Sequence, residues 1–442
     1  MPITPSAHLR DDTVAALSTR VLGPHDKGLP PAAWGLTVQE YLATRPRRSH
    51  LPTPLLTLSE AALEHNIATM ASWCHERGVD LAPHGKTTMA PELWQRQLAA
   101  GAWAITVANG AQLFVARSFG VSRVQVANAV LSPLTLRWLA AELAADPDFT
   151  VLTWADSVRI VELMSAALAM EQVPRPLPVL VEVGGTGGRT GARTLEEALD
   201  IAAAIAASPV LSLAGVSGYE GALAHGTAPE DLERVRDYLG TLATAHHRIR
   251  AAGHYPEDAV PVLTAGGSSY FDLVTEVLAP LHDPQGRTGE PARVVLRSGA
   301  YIAHDDGFYR TMTPFRRTGD ATLRSAMHGW ARVSSLPEPG LALFDAGKRD
   351  VPFDEGLPEV HYIHRDGGLL PAPEGLSVTA VNDQHGFLRW SDRSAPPVRI
   401  GDELRLGLSH PCTAFDKWGL IPVVDDADSA DPLVVGLVRT FF

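Results

Sequence analysis

Between Asp80 and Leu296 the chain repeats one pattern: a short apolar run, then a stretch with apolar residues at helical spacing. The runs are Asp80 to Pro83, Ala104 to Val107, Val124 to Ala127, Thr150 to Thr153, Val179 to Val183, Leu211 to Val216, Val260 to Thr264 and Arg293 to Leu296. Helical stretches such as Ala90 to Ala100, Pro133 to Ala144, Leu195 to Ala206 and Leu232 to Ala252 lie between them. Eight such units predict an α/β fold of the (β/α)8 barrel type, with a doubly wound open sheet as the alternative. After Arg297 the helical periodicity largely stops. Short apolar alternations broken by Gly and Pro run to Phe442 and predict a second, C-terminal β domain. Before the barrel, residues 1–50 read as an arm with one short helix near Thr37 to Ala43. The expected division is therefore an arm over 1–50, a barrel over 59–297, and a β domain made of 298–442 with the strand at 51–58.

A chain of 442 residues is longer than one core usually holds. Its formal net charge of -13 argues against nucleic acid and anionic membranes as partners. The two cysteines, Cys74 and Cys412, are too few for a disulfide framework. Met1 to Asp12 carries charges early and has no apolar core of a signal peptide, and no run approaches the length of a membrane span. The expectation is a cytoplasmic protein.

In a barrel the functional residues gather at the carboxyl ends of the strands. Pro83-His84-Gly85-Lys86 ends the first strand, and a lysine there can join an aldehyde cofactor covalently. A solvated lysine opening a helix is the plain alternative. Ala265-Gly266-Gly267-Ser268-Ser269 ends the seventh strand and leads into a helix. Its glycines let the backbone approach a phosphate, and the helix start supplies N–H groups. A tight turn with a capping serine is the alternative. Lysine and phosphate cradle together suit pyridoxal 5'-phosphate. Arg189, between glycines after the fifth strand, is a candidate for the cofactor's phenolate oxygen, and Tyr219, after the sixth, for stacking or hydrogen bonding. His246 and His247, on a polar helix, read as solvated.

Pro83-His84-Gly85-Lys86-Thr87 resembles the signature of the D-serine dehydratase and D-threonine aldolase family, fold-type III pyridoxal-phosphate enzymes related to alanine racemase. Arg189-Thr190-Gly191, Ala265 to Ser268, Arg297 to Tyr301 and Phe344 to Lys348 are similar to further elements of that family. The resemblance implies that Lys86 carries the cofactor, with His84, Arg189, Tyr219, Gly266, Gly267 and Ser268 around it. It also implies a metal pair at Ser409-His410-Pro411-Cys412. If that segment is extended, both side chains share a face, and imidazole with thiolate is a zinc-seeking pair. The family's dehydratases carry His-x-Cys with zinc, whereas its aldolases tend to carry His-x-Asp with a harder ion such as Mn2+ or Mg2+. The expected protein is thus a zinc-dependent dehydratase of a small 3-hydroxy D-amino acid, such as D-serine, D-threonine or 3-hydroxy-D-aspartate, acting as a homodimer. Lys86 is the expected base. The alternatives are a metal-dependent D-threonine aldolase, a non-catalytic pyridoxal-phosphate carrier, and a racemase with Tyr301 as its second base. His385 is a candidate neighbour of the metal pair.

Overall fold

The computed structural model describes residues 7–171, 173–392 and 395–442. The first six residues, which belong to the expected arm and to the stretch read for a signal peptide, lie outside the described residues. The chain divides into two compact units. One comprises residues 7–10, Met70–Lys86 and Gln95–Gly299, the other Asp11–Thr69, Thr87–Trp94 and Ala300–Phe442.

After a first strand, β1 (Leu55–Ser59), come the eight of the first unit. They are β2 (Asp80–Leu81), β3 (Ile105–Val107), β4 (Arg123–Val126), β5 (Thr150–Ala155), β6 (Leu177–Val183), β7 (Leu211–Gly218), β8 (Val262–Ala265) and β9 (Arg293–Leu296). Each overlaps a run read from the sequence. All neighbours pair in parallel in the order β2-β9-β8-β7-β6-β5-β4-β3. A parallel bridge between His84 and Thr106 closes the ring, with Trp103 N–H bonded to Leu81 O at 2.7 Å and Thr106 N–H to Pro83 O at 2.9 Å. The sheet is a barrel, as expected, because this bridge joins its two end strands, β2 and β3, and leaves no open edge. Ala82, Ala104, Leu152, Trp154, Leu180, Val262 and Val295 form one buried cluster of this unit.

The second unit is built on an antiparallel sheet. Strand Met327–Glu338 pairs on one side with Glu403–Gly407 and on the other with β1. The strand Leu420–Val424 then joins β1 in parallel. From Asp11 onward the arm packs into this unit. Helix Val38–Ala43 begins at a capping box between Thr37 and Glu40. Leu22, Leu29, Val38 and Tyr41 are buried with Leu55, Trp330, Leu420 and Leu437.

Two expectations need correction. Helix Glu60–Glu76 was assigned whole to the barrel, but its first ten residues count with the second unit. Asn66 ties this part of the helix to that unit: its side chain donates to Ile302 O at 3.1 Å and Arg324 O at 2.7 Å, while its oxygen accepts from Arg324 N–H at 2.8 Å. His246 is not solvated. It is 2% exposed on the inner face of helix Pro229–Ala251, with Nδ1 3.0 Å from the Tyr255 hydroxyl, and burial lowers its pKa to about 3. Among the described residues no helix is long and apolar enough to cross a membrane.

Candidate active site and metal pair

The carboxyl ends of the barrel strands bring together most of the residues singled out in the sequence. Lys86 lies half-buried in a short 3-10 turn, Gly85–Thr87, directly after β2. His84 precedes it, with its backbone N–H on Arg297 O at 3.2 Å. The His84 Nδ1 is out of reach of solvent and has no hydrogen-bond partner among the described residues. Burial, with Lys86, Arg297 and Arg189 nearby, lowers its pKa well below the usual histidine value. His84 is therefore neutral at pH 7, and one ring nitrogen can serve a bound group.

Arg297, at the end of β9, is buried and donates to Thr264 Oγ1 at 2.7 Å and to Gly218 O. The Arg189 guanidinium lies 4.7 Å from the centroid of the Tyr219 ring. Arg193 braces the Arg189 loop by donating to the carbonyls of Thr190, Gly191 and Arg189 at 2.6–2.8 Å. Tyr238 links two strand ends: its hydroxyl donates to Val183 O at 2.6 Å and accepts from Tyr219 N–H at 2.9 Å. Burial raises the Glu182 carboxyl, which accepts from Thr190 Oγ1 at 2.6 Å.

The glycine turn differs from its expected role. The N–H groups of Gly266 and Gly267 are both taken by Glu220, at 3.1 and 2.7 Å, on a residue with no solvent exposure. The glycines shape the turn and do not offer free donors. Gly266 has φ +92°, a conformation that favours glycine, and a Cβ on Gly267 would meet the Tyr219 ring at 2.9 Å. Ser268 and Ser269 follow, half-buried, ahead of helix Phe271–Leu278.

These residues fit pyridoxal 5'-phosphate. A strand-end amine, a buried imidazole nitrogen without a partner and two guanidinium groups converge on a turn that excludes side chains. Sequence reading missed Glu220 and Arg193 as parts of this machinery. A single carboxylate or arginine in a loop carries no motif.

In the second unit His410 and Cys412 face each other, but not because the segment is extended. His410 has φ +50°, and Pro411 starts a helical turn, Cys412–Phe415. The imidazole contacts the Cys412 thiol, which lies 3.6 Å from Thr87 Oγ1. His410 Nδ1 is 2.6 Å from Asp354 Oδ2. Burial opposes the charged ring, but bonds to Cys412 and Asp354 outweigh it and raise the pKa to about 9. An imidazole beside a thiol is a donor set suited to zinc, with further positions left for water and substrate. Among the described residues no group of three or more His, Cys, Asp or Glu side chains forms a metal cage. His385 is exposed on a tight turn closed by Asn382 N–H on His385 O at 2.8 Å. Tyr301 is buried, 3% exposed, in the turn Ala300–Ile302.

Comparison with known proteins agrees with this division. Residues 58–257 match the "Alanine racemase, N-terminal domain" and residues 326–424, which carry His410 and Cys412, the "Putative serine dehydratase domain". The chain thus joins an alanine racemase N-terminal domain to a putative serine dehydratase domain. The protein is 28% identical to a D-threonine aldolase of Arthrobacter sp over 381 residues, 86% of this chain and 90% of that one. The crystal structure of D-threonine aldolase from Filomicrobium marinum superposes with a TM-score of 0.73 at 25% identity, covering 90% of this chain and 97% of that one. D-threo-3-hydroxyaspartate dehydratase from Delftia sp. HT23 shares the fold, with a TM-score of 0.67 at 22% identity over 88% and 98% of the two chains.

Proposed function

We propose that the protein is a pyridoxal-phosphate- and zinc-dependent lyase of 3-hydroxy D-amino acids, and within that class a dehydratase. Its products would be a 2-keto acid and ammonia. The meeting of the His410 imidazole with the Cys412 thiol carries the reading. Hydroxide leaves poorly at neutral pH, and elimination needs a Lewis acid on the substrate hydroxyl. Zinc is suited to this, since it lowers the pKa of a bound water from ~15.7 to ~7. The cofactor, when bound, supplies an electron sink that makes the Cα proton removable. Lys86, which would hold the cofactor, would also be the amine to take that proton. Neutral His84 adds no charge beside it.

A retro-aldol reaction, giving glycine and an aldehyde, is the second reading. The likeness to two D-threonine aldolases favours it. It uses the same lysine but needs a base on the hydroxyl in place of a departing hydroxide.

The test is product analysis on D-serine, D-threonine and 3-hydroxy-D-aspartate, with and without a chelator. Keto acid that disappears with chelator and returns with zinc supports the dehydratase. Glycine plus aldehyde moves the protein to the aldolase reading. Lys86→Ala is expected to lose the visible absorbance of the lysine-bound cofactor and at least a thousandfold in turnover, about 4 kcal/mol of barrier.

A further inference from the structure

We propose that Asp354 is a positioning residue for metal binding: it holds the Nδ1 side of His410 so that Nε2 is presented beside the Cys412 thiol. This rests on the reading of His410 and Cys412 as a metal pair. Three observations point to Asp354. His410 is a non-glycine residue at φ +50°, a strained conformation that persists only where its surroundings impose it. Its backbone is held there by Asp305, whose Oδ2 accepts the His410 N–H at 3.0 Å while Oδ1 accepts the N–H groups of Gly307 and Tyr309 at 3.0 and 2.8 Å. Its ring is held by Asp354, with Oδ2 2.6 Å from Nδ1.

Asp354 is itself fixed. Its Oδ1 accepts from Thr413 Oγ1 at 2.7 Å, so both carboxylate oxygens are committed to the segment that carries the metal pair. Zinc arriving at Nε2 would displace the proton there and leave the Nδ1 proton shared with the Asp354 carboxylate. That tautomer binds a metal, and the carboxylate behind it makes the imidazole a better donor. Bonded to Nδ1, Asp354 leaves Nε2 as the ring nitrogen for a metal. The plain alternative is a surface ion pair, given a side chain 41% exposed. Such a pair would matter little to anything. The strained backbone and the second carboxylate contact argue for a built support.

The experiment is zinc titration of the cofactor-loaded protein, stripped of metal, in competition with a chromophoric chelator. Asp354→Ala is expected to weaken zinc binding roughly tenfold, the lower end of the ~10–100-fold usual for such supporting groups. Asp354→Asn, which keeps an acceptor for Nδ1–H, should recover part of that loss. The thermal midpoints of the metal-free forms should stay together, a pattern that a general structural role would not give. Should Asp354→Ala fail to fold, Thr413→Val frees one carboxylate oxygen and is expected to weaken zinc by a smaller factor. Parent and Asp354→Ala binding zinc equally would overturn the inference while leaving the metal pair intact. A parent protein that binds no zinc, yet keeps its cofactor absorbance, would remove the metal pair itself, and the inference with it.

Discussion

Glu220 Oε1 accepts the Gly267 N–H at 2.7 Å, and Oε2 accepts the Gly266 N–H at 3.1 Å. One buried carboxylate thereby ties the end of β7 to the end of β8. Removing it leaves two N–H groups without an acceptor, each costing about 1–3 kcal/mol. Glu220→Ala is expected to lose about 2–5 kcal/mol in denaturant unfolding of the cofactor-free protein. Glu220→Gln, which keeps one acceptor oxygen, should lose less. Equal stability of the alanine variant and the parent would show that the turn stands without its clip.

Cys412 is the residue on which metal choice is expected to turn. A thiolate selects zinc, whereas a carboxylate suits Mn2+ or Mg2+. Cys412→Asp should therefore shift the metal retained after dialysis against equal zinc and manganese towards manganese. Metal content by mass spectrometry reads this directly. In the same preparation the ratio of glycine to keto acid should rise.

Acid stability follows from two buried histidines. Burial holds His246 and His328 at pKa values of about 3, against 6.5 for an ordinary histidine. A lowered folded-state value means that the unfolded chain binds the extra proton first. Stability is then complete above pH 6.5 and falls as pH drops from 6.5 towards 3. Between pH 7 and pH 5 each histidine is expected to cost about 1–2 kcal/mol. Chemical denaturation at the two pH values measures the fall. A His246→Phe variant should show a shallower one, although losing the Tyr255 bond lowers its stability at both.

Arg48 anchors the arm by its charge. It is 2% exposed, pairs with Glu403 and lies 3.9 Å over the ring of Trp330. Arg48→Ala leaves the Glu403 carboxylate buried with Arg332 as its remaining ion-pair partner. The expected loss is about 3 kcal/mol or more. Limited proteolysis should cut the arm faster in this variant, and an unchanged cleavage rate would argue that the apolar contacts of Leu22, Val38 and Tyr41 hold it alone.

The eight barrel strands were legible because each is covered on both faces and so reads as a short, mostly apolar run. Lys86 was legible because its strand end is marked by Pro and Gly. His246 could have been placed correctly from its spacing: Leu242, Ala245, His246 and Ile249 share one helical face and all are buried. The polar content of the rest of that helix hid it. The pairing of His410 with Cys412 was anticipated from their separation of two, but for the wrong local reason. A left-handed residue followed by a helical turn brings them together.

By itself the sequence determined what local chemistry can mark: strand and helix periods, the glycine turn, the lysine at a strand end and the His-x-Cys pair. Only the tertiary structure decided which carboxylates serve them. Glu220 meets Gly267, and Asp354 meets His410, across 47 and 56 residues of chain. The acidic side chains number 50, and each is as able as the next to accept a hydrogen bond. Which one does so depends on where barrel closure and strand pairing bring it, and no short-range pattern records that.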